Sequence, residues 1–82
     1  MGRRIPIAIR MGYHTDKSGG PDACWIWTAS TIRGYGQIGW DGQNWLAHRV
    51  AYILEYGAID PEICVLHRCD NPPCCNPKHL FL

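Results

Sequence analysis

No long apolar run occurs in this chain of 82 residues. A helix needs roughly 20 consecutive apolar residues to cross a bilayer, so a membrane-spanning protein is not expected. Excess charge is missing too. Eight Lys and Arg against seven Asp and Glu leave a formal net charge of +1, a field too weak to point to a polyanionic partner by itself. The N-terminus lacks a signal-peptide pattern, because the apolar stretch after Met1-Gly2-Arg3-Arg4 is short and broken by Pro6 and Arg10. Repeats and low-complexity tracts are also absent. The five cysteines are an odd number, which argues against a closed disulfide framework and for thiols in a reducing, intracellular setting.

A chain this short makes one domain at most. It buries only a modest share of its surface, and folds of this size usually need a metal, disulfides or a partner subunit. Its cysteines therefore carry more weight than they would in a large protein. Arg3, Arg4 and Arg10 form a basic N-terminal arm, while Arg33, Arg49, Arg68 and Lys78 punctuate the rest. They read equally as a phosphate-contacting face or as ordinary solvated charge.

The first part has little periodicity. Ile5, Ile7 and Ile9 alternate with Pro6, Ala8 and Arg10, as in a short edge strand or an extended arm, and residues 17–22 have loop composition. Cys24 to Thr28 reads as a strand. Residues 34–40 and 43–46 read as a hairpin around Asp41-Gly42, a pair that supplies the positive-φ positions of a two-residue turn. Gly34, Gly36 and Gly39 imply a twisted strand or close approach by another segment. From Ala47 the period becomes helical, with Leu46, Val50, Ile53 and Leu54 on one face, and Gly57 and Pro61 end that helix. Alternation over Ile63 to Arg68 suggests a strand that delivers His67 at its end, with Leu80-Phe81-Leu82 returning beside it.

The end of the chain holds the densest chemistry. Cys69, Cys74 and His79 are evenly stepped, with Asn71-Pro72-Pro73 and Asn76-Pro77 between them as stiff turns. Thiolate and imidazole donors suit zinc, and a structural site takes four. Cys24, Cys64, Cys75 and a remote histidine are the candidates for the fourth. Cys75 adjoins Cys74 and so cannot easily share its shell, and Cys64 points away from His67 by strand alternation. Cys24 is favoured, since its thiolate ties the N-terminal half to the C-terminal loop. The competing view treats these cysteines as small buried apolar residues. His67 stands outside the group and is free to act as a general base toward water, or else to pack as a structural histidine.

The run Ala47-His48-Arg49-Val50-Ala51-Tyr52, then Val65-Leu66-His67-Arg68-Cys69-Asp70-Asn71-Pro72-Pro73-Cys74, then Asn76-Pro77-Lys78-His79-Leu80 resembles an HNH endonuclease. It is most similar to the zinc-bearing branch close to the His-Cys box homing endonucleases. Cys24-Trp25-Ile26-Trp27 and Gly34-Tyr35-Gly36 look like the opening elements of that branch. The resemblance covers residues 24–82, leaving 1–23 as an N-terminal arm and loop.

That resemblance implies an α+β fold: a small zinc-stabilised ββα-metal (His-Me finger) domain with a preceding β-hairpin and one helix. It implies His67 as the base that activates water against a DNA phosphodiester, with magnesium or another divalent cation stabilising the developing charge. It gives the structural zinc to Cys24, Cys69, Cys74 and His79, the quartet that spacing favours. Asn76 matches a loop asparagine expected to hold the loop by backbone hydrogen bonds. His48 and Arg49 match a His-Arg pair, Arg49 as a phosphate contact and His48 as a structural residue. The residue before the base, often acidic or histidine in HNH enzymes, is Leu66 here. The His-Cys box relatives take their metal ligand, an asparagine, from a helix after the last strand, and this chain ends at Leu82, so that helix is expected to be truncated. DNA is the expected partner. Arg33, Gln37, Gln43 and Asn44 of the hairpin are candidates to reach base edges, against the view that the hairpin tryptophans mark simple packing. A homodimer would allow both strands to be cut, and the cytoplasm, of a host cell if the protein is phage-encoded, is the expected compartment. The alternative reading is a non-catalytic, zinc-stabilised DNA-binding or assembly module.

Overall fold

The structure, a computed structural model, describes residues 5–82. Arg3 and Arg4 of the basic arm lie outside the described residues. Among the described residues the architecture is α+β, with two helices and three small antiparallel sheets. Among the described residues no helix is long and apolar enough to cross a membrane.

Two tight hairpins build the central sheet. Strands β3 (Thr31–Ile32), β4 (Tyr35–Trp40) and β5 (Gln43–Leu46) follow one another in space. They are preceded by α1 (Ile7–Tyr13), β1 (Thr15–Asp16) and β2 (Ile26–Trp27). Ile32 pairs with Tyr35 and Trp40 with Gln43, so each turn has two central residues. Arg33 (φ 52°) and Gly34 (φ 87°), like Asp41 (φ 51°) and Gly42 (φ 73°), are all left-handed, as a type I′ turn requires. The Asp41-Gly42 turn is as expected; the Arg33-Gly34 turn adds a strand that the sequence reading did not contain. Gly36 has a different reason to be glycine. A Cβ there would lie 2.5 Å from Cγ of Trp27, so the bare backbone lets that indole lie against β4.

Helix α2 (Ala47–Tyr56) follows β5 directly and ends at Gly57, whose positive φ of 102° lets its N–H reach the Ile53 carbonyl at 2.8 Å. The buried face differs from the expected one. Ala47, His48, Val50 and Ala51 are buried, whereas Leu46 and Leu54 are exposed. Small Ala47 and Ala51 bring the first turns of the helix close against the core, and that approach rotates the longer aliphatics outward. The core joins these residues to Met11, Trp27, Ile38, Val65, Cys75 and Leu80.

Residues 5–10 form neither an extended arm nor an edge strand, so among the described residues there are two helices rather than one. α1 begins after Pro6 and buries Met11, and Thr15–Asp16 pairs with Ile26–Trp27. Seven residues cannot sustain a helix alone. Docking of Ile7 and Met11 on the core decides its form, and local alternation is silent about that. Arg10 ties the helix to the hairpin by donating to the Gly39 carbonyl at 2.7 Å.

The C-terminal part is a hairpin with a long loop. β6 (Leu66–His67) pairs with β7 (Leu80–Phe81), confirming the returning strand. The intervening loop contains one 3₁₀ turn, Pro77–His79. Main-chain bonds stitch this loop to β2: Trp27 N–H to the Pro73 carbonyl at 2.9 Å and Cys75 N–H to the Trp25 carbonyl at 2.8 Å.

Candidate metal centre and histidine cavity

The stitching of the loop to β2 brings residue 24 beside residues 69–79. The Sγ atoms of Cys24, Cys69 and Cys74 and a ring nitrogen of His79 all lie within 4.8 Å of one another. His79 Nδ1 is 3.6 Å from Cys24 Sγ and 3.5 Å from Cys74 Sγ. Tetrahedral zinc with ordinary Zn–S and Zn–N bonds requires a sulfur–nitrogen edge of about 3.6 Å, so the donor set fits that ion. The other His79 nitrogen, Nε2, is 2.9 Å from the Asp22 carbonyl. A carbonyl only accepts, so Nε2 carries the proton and the Nδ1 lone pair is left for a metal. The remaining two cysteines are elsewhere: Cys64 is exposed and Cys75 is buried in the core.

The thiols differ in environment. A hydrogen bond from Asn71 holds Cys24 down to about 7, while burial pushes Cys74 up to about 11 and Cys75 up to about 12. Cys74 can therefore persist as a buried thiolate only opposite a cation. Asn76 N–H points at its sulfur from 3.5 Å. The Asn76 side chain is fully buried, donates to the Pro21 and Ala23 carbonyls at 3.0 and 2.7 Å, and accepts from Lys78 N–H at 3.0 Å. One amide thus clamps the chain leading to Cys24 onto the loop that carries the other three donors. The exposed Lys78–Asp22 ion pair at 3.0 Å bridges the same two segments.

His67 closes β6 and is half-buried outside this group. Its Nε2 lies 2.9 Å from the Cys74 carbonyl, so Nε2 is the protonated nitrogen and Nδ1 carries the lone pair. Cys74 therefore supplies a sulfur to the donor set and an acceptor to the histidine. A second imidazole stands behind the first. His48 is buried, its Nε2 donates to the Val65 carbonyl at 2.9 Å, and its ring centroid is 4.5 Å from that of His67. Burial pushes His48 down to about 4, and its Nδ1 has no hydrogen-bond partner. Tyr35 completes the wall, 5.5 Å from His48 and 5.9 Å from His67 between ring centroids. His48 and Tyr35 are the members of this site that sequence reasoning did not assign to it. The Ala47-His48-Arg49 run was the available signal for the first.

The candidate DNA-contacting residues are not gathered in one place. Gln37 and Asn44 are joined on the exposed sheet face, where Asn44 Nδ2 donates to Gln37 Oε1 at 2.7 Å and Gln37 Nε2 reaches Ser30 Oγ at 2.6 Å. Arg33 is exposed at its turn, which abuts the metal loop, since a Cβ on Gly34 would sit 3.7 Å from that of Pro72. Arg49 is turned away. Its guanidinium donates to the Ile63 carbonyl and, at 3.0 Å, to the Asp60 carbonyl, pinning the loop between α2 and β6. The tryptophans take packing roles: Trp27 fills the core, and Trp40 and Trp45 face each other at 5.0 Å between ring centroids.

Residues 46–82 match the model of a family described as HNH endonuclease. Among curated proteins, Protein 2.8 of Escherichia phage T7 is 44% identical over 63 residues, covering 72% of this chain and 41% of its own length. Protein 7.7 of the same phage is 42% identical over 60 residues, covering 72% of this chain and 46% of its own. The chain thus spans less than half the length of these relatives. No solved structure matches it significantly.

Proposed function

We propose, from the match of residues 46–82 to the HNH endonuclease family model, that this chain hydrolyses DNA phosphodiester bonds with His67 as general base. The observation that carries the reading is the tautomer of His67. Its Nε2–H is committed to the Cys74 carbonyl, so the Nδ1 lone pair is left for the cavity of about 330 Å³ that His67 lines with Tyr35, Val65 and Pro72, where a scissile phosphate and a water would lie. Nδ1 takes a proton from that water, the water oxygen bonds to phosphorus, and the P–O bond to the leaving oxygen breaks. His48 fixes the strand beneath His67 through Val65 and stays neutral, so it does not place a second positive charge behind the base.

Cys24, Cys69, Cys74 and His79 hold a structural zinc in this reading, because all four tetrahedral positions are filled by protein donors and none is left open for a substrate. A hard divalent cation such as magnesium, when bound, stabilises the charge that develops on the phosphate. Leu66, immediately before the base, is exposed and offers no donor atom to such an ion. The sheet face bearing Gln37 and Asn44, with Arg33 at its turn, supplies the DNA contacts, and action in the cytoplasm of the cell that makes the protein follows.

The test is nicking of supercoiled plasmid by the zinc-loaded protein with and without added magnesium, beside His67→Ala. Wild type should nick only with magnesium, and His67→Ala should lose at least a hundredfold in rate. Equal cleavage by His67→Ala would sink the assignment. No cleavage by folded wild type that still binds DNA in a salt-dependent way would favour a binding module instead.

A further inference from the structure

The cavity that His67 lines is aromatic and apolar over most of its wall. Tyr35, Leu66, Pro72 and Phe81 are among its lining residues, and Asp70 is the one acidic residue there. We propose that this cavity receives an unpaired nucleobase, guanine ahead of the other three, next to the phosphate that His67 addresses. The substrate is then DNA with a base out of the stack: a single strand, a mismatch or a frayed end. The place of the phosphate rests on the nuclease reading; capture of the base does not.

A phosphate calls for cations or N–H donors. Among the described residues no lysine or arginine lines the cavity, and the Asp70 carboxylate repels an anion. His67 can serve a phosphate at one edge, and the rest of the wall suits something planar and uncharged. The volume of about 330 Å³ lies at the lower end of small-ligand pockets. Tyr35 and Leu66 are exposed, so apolar surface at this cavity is left to water. The Tyr35 ring is inclined by 33° to that of His48 and by 34° to that of His67, which extends the two imidazoles into a row of rings.

Two cations flank the lining. Arg33 belongs to the turn whose Gly34 abuts Pro72, and the Arg68 guanidinium lies 4.8 Å from the centre of the Phe81 ring. Neither forms an ion pair among the described residues, where Asp22 and Lys78 make the one present. Aromatic rings for the bases with cations for the backbone is how proteins hold single strands. A base within a duplex is covered on both faces and its pairing edge is occupied, so only an unstacked base can enter.

Asp70 sets the preference among bases. Its backbone is fixed on both sides: Cys69 belongs to the donor cluster, and the Asn71 carbonyl accepts from Cys74 N–H at 3.0 Å. An ionised carboxylate has two acceptor oxygens and no donor. The pairing edge of guanine offers it two adjacent N–H groups. Adenine and cytosine set one amino group beside a bare ring nitrogen, and thymine sets its N–H between two carbonyls.

The experiment is fluorescence anisotropy of zinc-loaded protein with labelled DNA in buffer without magnesium. The probes are oligothymidines of about twelve nucleotides, plain or with one central guanine, as single strands and as perfect duplexes. The guanine-bearing single strand should bind about tenfold more tightly than its duplex and about fivefold more tightly than plain oligothymidine. Tyr35→Leu should bring the single strand down to the duplex level, and Tyr35→Phe, which keeps the ring, should not. Asp70→Asn, which keeps the shape and tolerates the left-handed φ of 51°, should lose most of the guanine preference and still favour single strands. Equal affinity for single strand and duplex, or a single-strand preference untouched by Tyr35→Leu, would overturn the site. Should Tyr35→Leu lose its fold, Asp70→Asn decides, and a guanine preference that survives in it overturns the site. Plasmid nicking separates the two claims. Capture of single strands through Tyr35 without nicking leaves the base site standing and removes the nuclease, and nicking without any preference for unpaired bases does the reverse.

Discussion

The hairpin and helix of residues 31–57 and the metal loop of residues 66–82 lie side by side but are held by different physics. In the first, Ile38, Ala47, Val50 and Ala51 are buried and the chain reverses through two I′ turns, so apolar area and turn geometry do the stabilising. The second buries Cys74, Cys75, Asn76 and Leu80, with hardly any large apolar side chain among them. Its form comes from the sulfur–nitrogen donor set, one buried amide and backbone bonds to β2. A loop built this way is rigid only while its donors have a metal to meet. Since His67 donates to the Cys74 carbonyl, the chemistry of the site inherits that dependence.

Removing the metal should break the comparison most strongly. Chelation should cost the metal loop its form and, because the domain has too small a core to stand on the other half, unfold most of the chain; Cys24→Ser should do nearly the same. Circular dichroism melts before and after chelation give the check. An unchanged melting point would mean that the loop does not depend on metal. Asn76→Ala comes next. It leaves two carbonyls and one N–H in buried surroundings without partners, and should cost about 3–4 kcal/mol in zinc-loaded protein by denaturant titration. A loss below about 1 kcal/mol would show that the donor set alone organises the loop.

These two effects also mark what could be read in advance. The quartet of Cys24, Cys69, Cys74 and His79 was legible because ligand spacing is a local property and Cys24 was the candidate that linked the two halves. The Asp41-Gly42 turn and the Gly57 stop were legible because each needs a positive φ that few residues supply. Helix α1 was not, since Pro6 and alternating isoleucines resemble a strand and only docking of Met11 makes a helix of them. The roles of His48 and Tyr35 were equally hidden. Their closeness to His67 exists only after β4, α2 and β6 come together, and no spacing in the chain announces it.

His48 sharpens the comparison from the packing side, because it is the polar residue that the helix buries toward the site. Its folded pKa of about 4 lies below the ordinary 6.5, so between these values the unfolded chain binds the proton and the folded one does not. Stability from the neutral imidazole is complete above about pH 6.5 and is lost as pH falls toward 4, by up to about 3 kcal/mol at about 1.4 kcal/mol per pKa unit. His48→Gln should flatten that part of the stability–pH curve relative to wild type. Protonation of the metal ligands is common to both proteins and cancels in the comparison. Parallel curves would show that His48 does not carry this dependence. Val50→Ala, a pure packing loss at a fully buried site, should cost about 2 kcal/mol at every pH without changing zinc content.

The smallest expected effect tests the contrast within a single pair of residues. Cys74 and Cys75 are adjacent, both buried and both pushed up as thiols by burial, yet only Cys74 belongs to the donor set. Cys75 joins the apolar cluster with Val50 and Leu80, and its sulfur makes only a long contact of 3.8 Å to the Pro73 carbonyl. Valine is apolar like a buried neutral cysteine and larger by about one methyl group, so Cys75→Val should change stability by less than about 1.5 kcal/mol and leave one zinc per chain. Cys74→Val should lose the zinc and with it the hold on His67. If both variants kept zinc, Cys74 would not be a ligand. If both lost it, the loop would need apolar anchoring as much as metal, and the division between the two regions would not hold at their seam.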